Sequence, residues 1–241
     1  MKIKFLFVVL IALFSNISAE AKTFDADTFK TAHGEVAITF IKHGTLMLTF
    51  NGKTIHIDPV SMYADYSVFP KADYILITHE HGDHLDAKAV EKLTKESTIL
   101  IINQSGQNKL GKGEVMKNGD IRKVNEWLKV EAVPAYNTTA GREMYHPRHR
   151  DNGYVLTLDG LRIYVAGDTE DIPEMKNLKK IDVAFLPVNQ PYTMTVEQAE
   201  SASRTILPKV LYPYHYGETE IGKLKDSLND TFIDFRIRDL R

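Results

Sequence analysis

Apolar and polar positions alternate in short runs along the first third of the chain, at residues 36–41, 46–50 and 54–57. A period near two predicts strands. Asn51-Gly52 lies between the second and third runs, and that pair between strand-like segments predicts a tight hairpin. His56 stands between Ile55 and Ile57, so the alternation turns it away from the core. Residues 74–78 are continuously apolar, as in a strand buried on both faces. Residues 86–95 form a helix with Leu85, Val90 and Leu93 on one side, followed by a strand at 98–102. Short β runs broken by Gly and Asn occupy 111–135, and 136–153 is a polar stretch without a period, rich in His and Arg. It reads as a long loop, and such loops in compact domains are usually functional or disordered. Strands at 154–158 and 161–166 flank Asp159-Gly160, a second hairpin signal. A strand at 181–186, a helix at 195–206 with Thr195 at its N-cap, a strand at 210–214, a short helix at 222–228 and a strand at 232–237 complete the chain. The pattern predicts an α/β (α+β) domain of stacked sheets with outer helices, its two hairpin-bearing halves hinting at an internal duplication.

The first residues follow another logic. Lys2 and Lys4 precede a charge-free apolar run at residues 5–14, and small residues follow at Ser18, Ala19 and Ala21. This is the anatomy of a secretory signal peptide, too short for a membrane span. We expect a signal peptide over residues 1–21, one folded domain over 22–241, an exported (periplasmic or secreted) product and no stable span once the leader is removed. Of the 241 residues 43% are hydrophobic and 26% charged, enough apolar material for a sizeable core. The formal net charge of -2 comes without a basic tract, so no nucleic-acid partner is expected. The chain has no cysteine, which excludes disulfides, thiolate metal sites and a cysteine nucleophile. Any metal must be held by imidazole and carboxylate.

The segment Thr78-His79-Glu80-His81-Gly82-Asp83-His84 supplies such groups in quantity. It leaves a buried strand and enters a helix. Residues two apart on an extended chain point the same way, so His79 and His81 can chelate one ion. Gly82 permits a sharp turn, after which Asp83 and His84 face the same cavity and suit a second ion. Burying so many polar groups without a metal would cost on the order of several kcal/mol each unless all were paired.

With these residues in place, the chain resembles the metallo-β-lactamase superfamily, whose HxHxDH signature matches His79-Glu80-His81-Gly82-Asp83-His84. Asp58-Pro59 looks like the family's early Asp, Gly167-Asp168-Thr169 like its metal-bridging Asp, and His215 like its late His ligand. Lys42-His43-Gly44-Thr45, Asp58-Pro59 and Gly167-Asp168-Thr169 bring it closest to the branch of ascorbate-6-phosphate lactonase and N-acyl-phosphatidylethanolamine phospholipase D. The resemblance implies a four-layer αββα sandwich. It also implies a metal set of His79, His81, Asp83, His84, Asp168 and His215, with Asp83 and Asp168 catalytic. One or two ions are expected, zinc first, with manganese or iron as alternatives. The implied reaction is attack of a metal-activated water on a small-molecule ester, lactone or phosphodiester. A non-catalytic metal-binding member of the same fold and a nuclease are the alternatives.

One element of the pattern is absent. Where the family places another His after the middle strand, this chain reads Val133-Pro134-Ala135-Tyr136-Asn137-Thr138. Asn137 or Tyr136 is expected there, leaving the first site with weaker ligands. His146 and His149 in the downstream loop could replace the missing imidazole. His43 follows a strand and could reach the cavity as a metal, substrate or supporting residue. Asn189-Gln190-Pro191-Tyr192 precedes a helix and suits either a pocket wall or helix-cap chemistry.

Overall fold

Fourteen strands assemble into two seven-stranded sheets in a computed structural model that describes residues 24–241. The leader expected at 1–21 lies outside the described residues. The first sheet contains β1 (Ala26–Lys30), β2 (Glu35–Lys42), β3 (Thr45–Phe50), β4 (Lys53–Ile57), β5 (Tyr74–Ile77), β6 (Ile99–Ile102) and β7 (Glu114–Val115) in that spatial order. The second contains β8 (Ile121–Lys123), β9 (Leu128–Ala135), β10 (Asp151–Leu158), β11 (Leu161–Val165), β12 (Val183–Pro187), β13 (Val210–Tyr214) and β14 (Asp234–Phe235). Each sheet begins as an antiparallel meander of four strands and continues with three strands added in parallel. The duplication hinted at in the sequence is therefore a duplication of topology.

The alternating strands β2 and β3 turn Val36, Ile38, Leu46 and Leu48 into a shared core with Val130, Ala132, Tyr154, Leu156, Ile163 and Phe185 from the other sheet. Helix α1 (Ala87–Leu93) covers the outer face of the first sheet, packing Ala89, Val90 and Leu93 over Ile75 and Ile77. Helix α3 (Val196–Ile206) buries Ala199, Ala202 and Ile206 and packs beside α4 (Gly222–Ser227) and the 3-10 turn Pro173–Asn177. Thr195 caps α3 through a reciprocal pair with Gln198. The fold is the expected αββα arrangement.

Three local readings change. Helix α2 (Gln104–Leu110), capped by Asn103, had no predictive apolar stripe, since only Gly106 of it is buried. β10 begins at Asp151, earlier than the apolar pattern announces, because Asp151 and Asn152 are buried polar residues satisfied by partners. His56 does turn from the inter-sheet core, yet it is fully buried beneath Tyr66 and Phe69, with its Nε2 at 3.1 Å from the Pro70 carbonyl. The loop after β4 covers a face that the alternation alone assigns to solvent.

Candidate metal centre

Parallel strands place their carboxyl ends on one edge of a sheet, where ligands of α/β proteins gather. Here β4 ends before Asp58, β5 before Thr78 and His79, β11 before Asp168 and β13 before His215. The two sheets meet along this edge: Asn152 N donates to the Thr78 carbonyl (3.1 Å) and the Tyr154 hydroxyl to the Ile77 carbonyl (2.8 Å). Gly167 has φ +66°, and a Cβ there would lie 2.7 Å from the Asn152 carbonyl oxygen. The approach that delivers Asp168 thus requires glycine before it.

Two overlapping clusters of donors result. Those of His79, His81 and His146 lie within 4.8 Å of one another, as do those of His43, Asp83, His84 and His215. Asp168 stands between them, its Oδ2 at 3.4 Å from His146 Nε2, 3.9 Å from His79 Nε2 and 3.2 Å from His215 Nε2, with Oδ1 at 3.3 Å from His84 Nε2. Ligands bonded at about 2.1 Å in a tetrahedron are separated by roughly 3.4 Å, so these spacings are those of coordination edges. The buried atoms His79 Nε2, His84 Nε2, Asp168 Oδ1 and both nitrogens of His215 have no hydrogen-bond partner among the described residues. Unpaired buried polar groups are costly. Their convergence fits a bound cation.

The outward nitrogens are fixed by other residues. His84 Nδ1 is 2.8 Å from Asp58 Oδ2, and Asp58 also accepts from the Thr78 amide (2.8 Å) and hydroxyl (2.6 Å). His146 Nδ1 is 3.0 Å from Asp151 Oδ2, while Arg150 donates to both Asp151 oxygens and to the Tyr145 carbonyl. Such partners orient metal-binding imidazoles. His43, Asp58 and His215 all have positive φ (+56°, +45° and +46°). Backbone strain of this kind, of order 1–3 kcal/mol per residue, persists where the surroundings over-determine it, often at functional sites.

The electrostatics follow from burial and proximity. Burial pushes the Asp168 carboxyl up, but His215 and His84 outweigh it and hold the group well below the carboxylate range. Burial pushes His215 down, but Asp168 and Asp83 carry it up to about 9. His84 rises likewise against its burial, through Asp168 and Asp58. His79 and His81 are lowered by burial and neighbouring histidines. Asp168, with Asp58 and Asp83, therefore favours positive charge on His84 and His215.

Of the residues expected near the third position of the first cluster, the structure brings His146 to it. Neither Asn137 nor Tyr136 supplies its nitrogen; His146 does, from the long loop. Asn137 instead ties that loop together, its amide group donating to the Arg142 (3.2 Å) and Tyr192 (2.8 Å) carbonyls. Tyr136 donates its hydroxyl to Glu174 (2.8 Å). The first cluster thus brings together three imidazoles. His149 is exposed and joins neither cluster. The aromatics around His215 are mainly core: Tyr212 stacks on Phe185 at 5.0 Å, and the Tyr214 hydroxyl donates to the Gly167 carbonyl (3.2 Å). Sequence reasoning missed Asp151, Arg150 and Glu170. The buried Glu170 Oε2 accepts from the Thr138 (2.8 Å) and Thr139 (2.7 Å) amides and so shapes the loop that carries His146. The only signal was the acidic residue two after Asp168 and the carboxylate five after His146.

Comparisons with known proteins agree with this geometry. A family described as the β-lactamase superfamily domain matches residues 37–215. A UPF0173 metal-dependent hydrolase from Ligilactobacillus salivarius is 31% identical, over 82% of this chain and 91% of its own. Another from Pyrococcus furiosus is 31% identical, over 75% and 84%. Among solved structures, a protein assigned as a metal-dependent hydrolase from Parabacteroides distasonis is 65% identical with a TM-score of 0.90, over 91% of this chain and all (100%) of that one. A metallo hydrolase from Ignicoccus hospitalis, at 24% identity, shares the fold with a TM-score of 0.72.

Proposed function

This chain belongs to the β-lactamase superfamily and is a metal-dependent hydrolase, and we propose that it cleaves a small ester, lactone or phosphodiester with two ions held side by side on Asp168. The observation that carries this reading is the reach of one buried carboxylate to four imidazoles, His79, His84, His146 and His215, all at 3.2–3.9 Å. His79, His81 and His146 would hold the first ion, and Asp83, His84 and His215 the second. The donors are imidazole and carboxylate only, which suits zinc, with manganese or iron as alternatives.

Metal held by these residues would supply Lewis-acid chemistry, lowering the pKa of water and polarising the oxygen of the bond to be cleaved. The protein's own groups divide the remaining work. Asp58 and Asp151 fix the tautomers of His84 and His146, so that each presents Nε2 inward. Asp83 is the open carboxylate of the centre, its side chain 39% exposed against 3% for Asp168. We assign it to orient the attacking water and accept its proton, while Asp168 maintains the charge that binds both ions.

The test is a screen of chromogenic carboxylic esters, lactones and phosphodiesters, before and after chelator treatment and metal add-back. The reading expects one class to be hydrolysed, lost with chelator and restored by metal; a metal-loaded protein inert on every class contradicts it. Export is part of the proposal, supported by the charged start and the apolar run at 5–14. N-terminal sequencing of the native protein should begin near Glu20 or Lys22, and an intact Met1 in a cytoplasmic pool contradicts it. Among the described residues, no helix is long and apolar enough to cross a membrane.

A further inference from the structure

His43 and Gly44 form the two-residue connection between β2 and β3. The first central residue has φ +56°, the left-handed region that glycine favours, yet it is a histidine with its side chain only 14% exposed. A register shift between Phe40 and Lys42 places a β-bulge just before the turn, and bulges re-aim side chains beside active sites. Here the ring is aimed inward. Its centroid lies 3.6 Å from that of His215, and its Nε2 is 3.3 Å from Asp83 Oδ2. The His43 carbonyl accepts from the His215 amide (3.3 Å), which locks the turn to the end of β13. A Cβ at position 44 would lie 2.5 Å from His84 Cε1, so the small residue lets the turn press against that ring.

The geometry points to His43 as an additional ligand of the second ion, completing a set of His43, Asp83, His84 and His215 beside the shared Asp168. This rests on the proposed two-ion reading of the centre. The donor atoms of these four residues lie within 4.8 Å of one another, and the 3.3 Å spacing of His43 Nε2 and Asp83 Oδ2 is a coordination edge as much as a hydrogen bond. The consequence is an asymmetry. Counting Asp168 in both, the second ion has five protein ligands and the first has four. The first ion is then the less saturated of the two, and a substrate oxygen would meet it there.

Metal-free protein reloaded with Co2+ tests this without any substrate. His43→Gly keeps the backbone at ease at positive φ, and His43→Asn retains a side chain able to donate to Asp83 but is a weak ligand. We expect both variants to show stronger visible d–d absorption from one of the two cobalt sites, as its coordination number falls. Added free imidazole should return the His43→Gly spectrum toward wild type. Spectra of both variants that superimpose on wild type would overturn the assignment. A second measurement needs no variant: anomalous diffraction from the Co2+-loaded wild type should place an ion about 2.1 Å from His43 Nε2, and a separation beyond about 3 Å overturns the assignment. A protein with the expected spectra that hydrolyses nothing would overturn the proposed activity and leave this assignment intact.

Discussion

The two ligand clusters are built by different means. His79 and His215 stand just beyond the ends of the parallel strands β5 and β13, and Asp83 and His84 follow in the tight turn that leaves β5, held by the His84 and Leu85 amides on the His81 carbonyl. His146 comes from an irregular loop, where side-chain bonds replace the ladder: Asp151 and Arg150 on one side, Glu170 and Asn137 on the other. The second cluster sits wholly on the strand-end segments, and the first shares that support at His79 and His81 but not at His146. His146 depends on polar groups that are individually replaceable, each worth about 1 kcal/mol unless its loss leaves a buried charge. The lesson is that the first ion's position should be the more easily disturbed by changes outside the ligands.

The largest effect should come from the residue common to both clusters. Asp168→Asn preserves shape but removes the buried charge, and turnover should fall by about 100-fold or more with loss of both ions. Steady-state assays and metal analysis check this; retention of both ions would show that the clusters do not share it. Next, His146→Ala should release one ion while Asn137→Ala keeps both. Equal loss from the two variants would return the third position to Asn137. Below these come the supporting carboxylates. Asp151→Asn should weaken the first ion and Asp58→Asn the second, each by about 10- to 100-fold in affinity. Chelator competition separates them, and identical profiles would erase the distinction between loop-built and strand-built positions.

His56 serves as a control, a buried histidine of neither cluster, and its titration should have the smallest effect on the centre itself. Burial lowers its pKa from 6.5 to about 4, against the Pro70 carbonyl, which raises it. The folded state therefore prefers the neutral ring. Its stabilising contribution is present above about pH 6.5 and is lost as the pH falls toward 4, by up to about 3 kcal/mol. Denaturant midpoints of the metal-free protein should drop over that window, and less steeply in His56→Phe. Equal slopes would remove His56 as the cause.

The contrast between clusters also explains what was legible in the sequence. Strand alternation and the two Asx-Gly hairpins located most elements, and the contiguous motif at 79–84 announced itself because its spacing follows from extended geometry. Asp168 and His215 were found by resemblance and by their positions after apolar runs. His146 was visible only as one of several polar residues in a stretch without periodicity, because its placement depends on contacts between residues distant in the chain, such as those of Thr138 with Glu170, 32 residues apart, and of Asn137 with Tyr192, 55 residues apart. His56 misled for a related reason. Alternation reports which side of a strand a residue faces, and a covering loop decides whether that side is wet.

The claim that one buried carboxylate joins two metal positions is tested most directly by anomalous diffraction from crystals of the metal-loaded protein. The account predicts two peaks about 3.5–4 Å apart, flanking Asp168, one beside His79, His81 and His146 and the other beside Asp83, His84 and His215. A single peak, or a pair in which Asp168 touches only one ion, would contradict it.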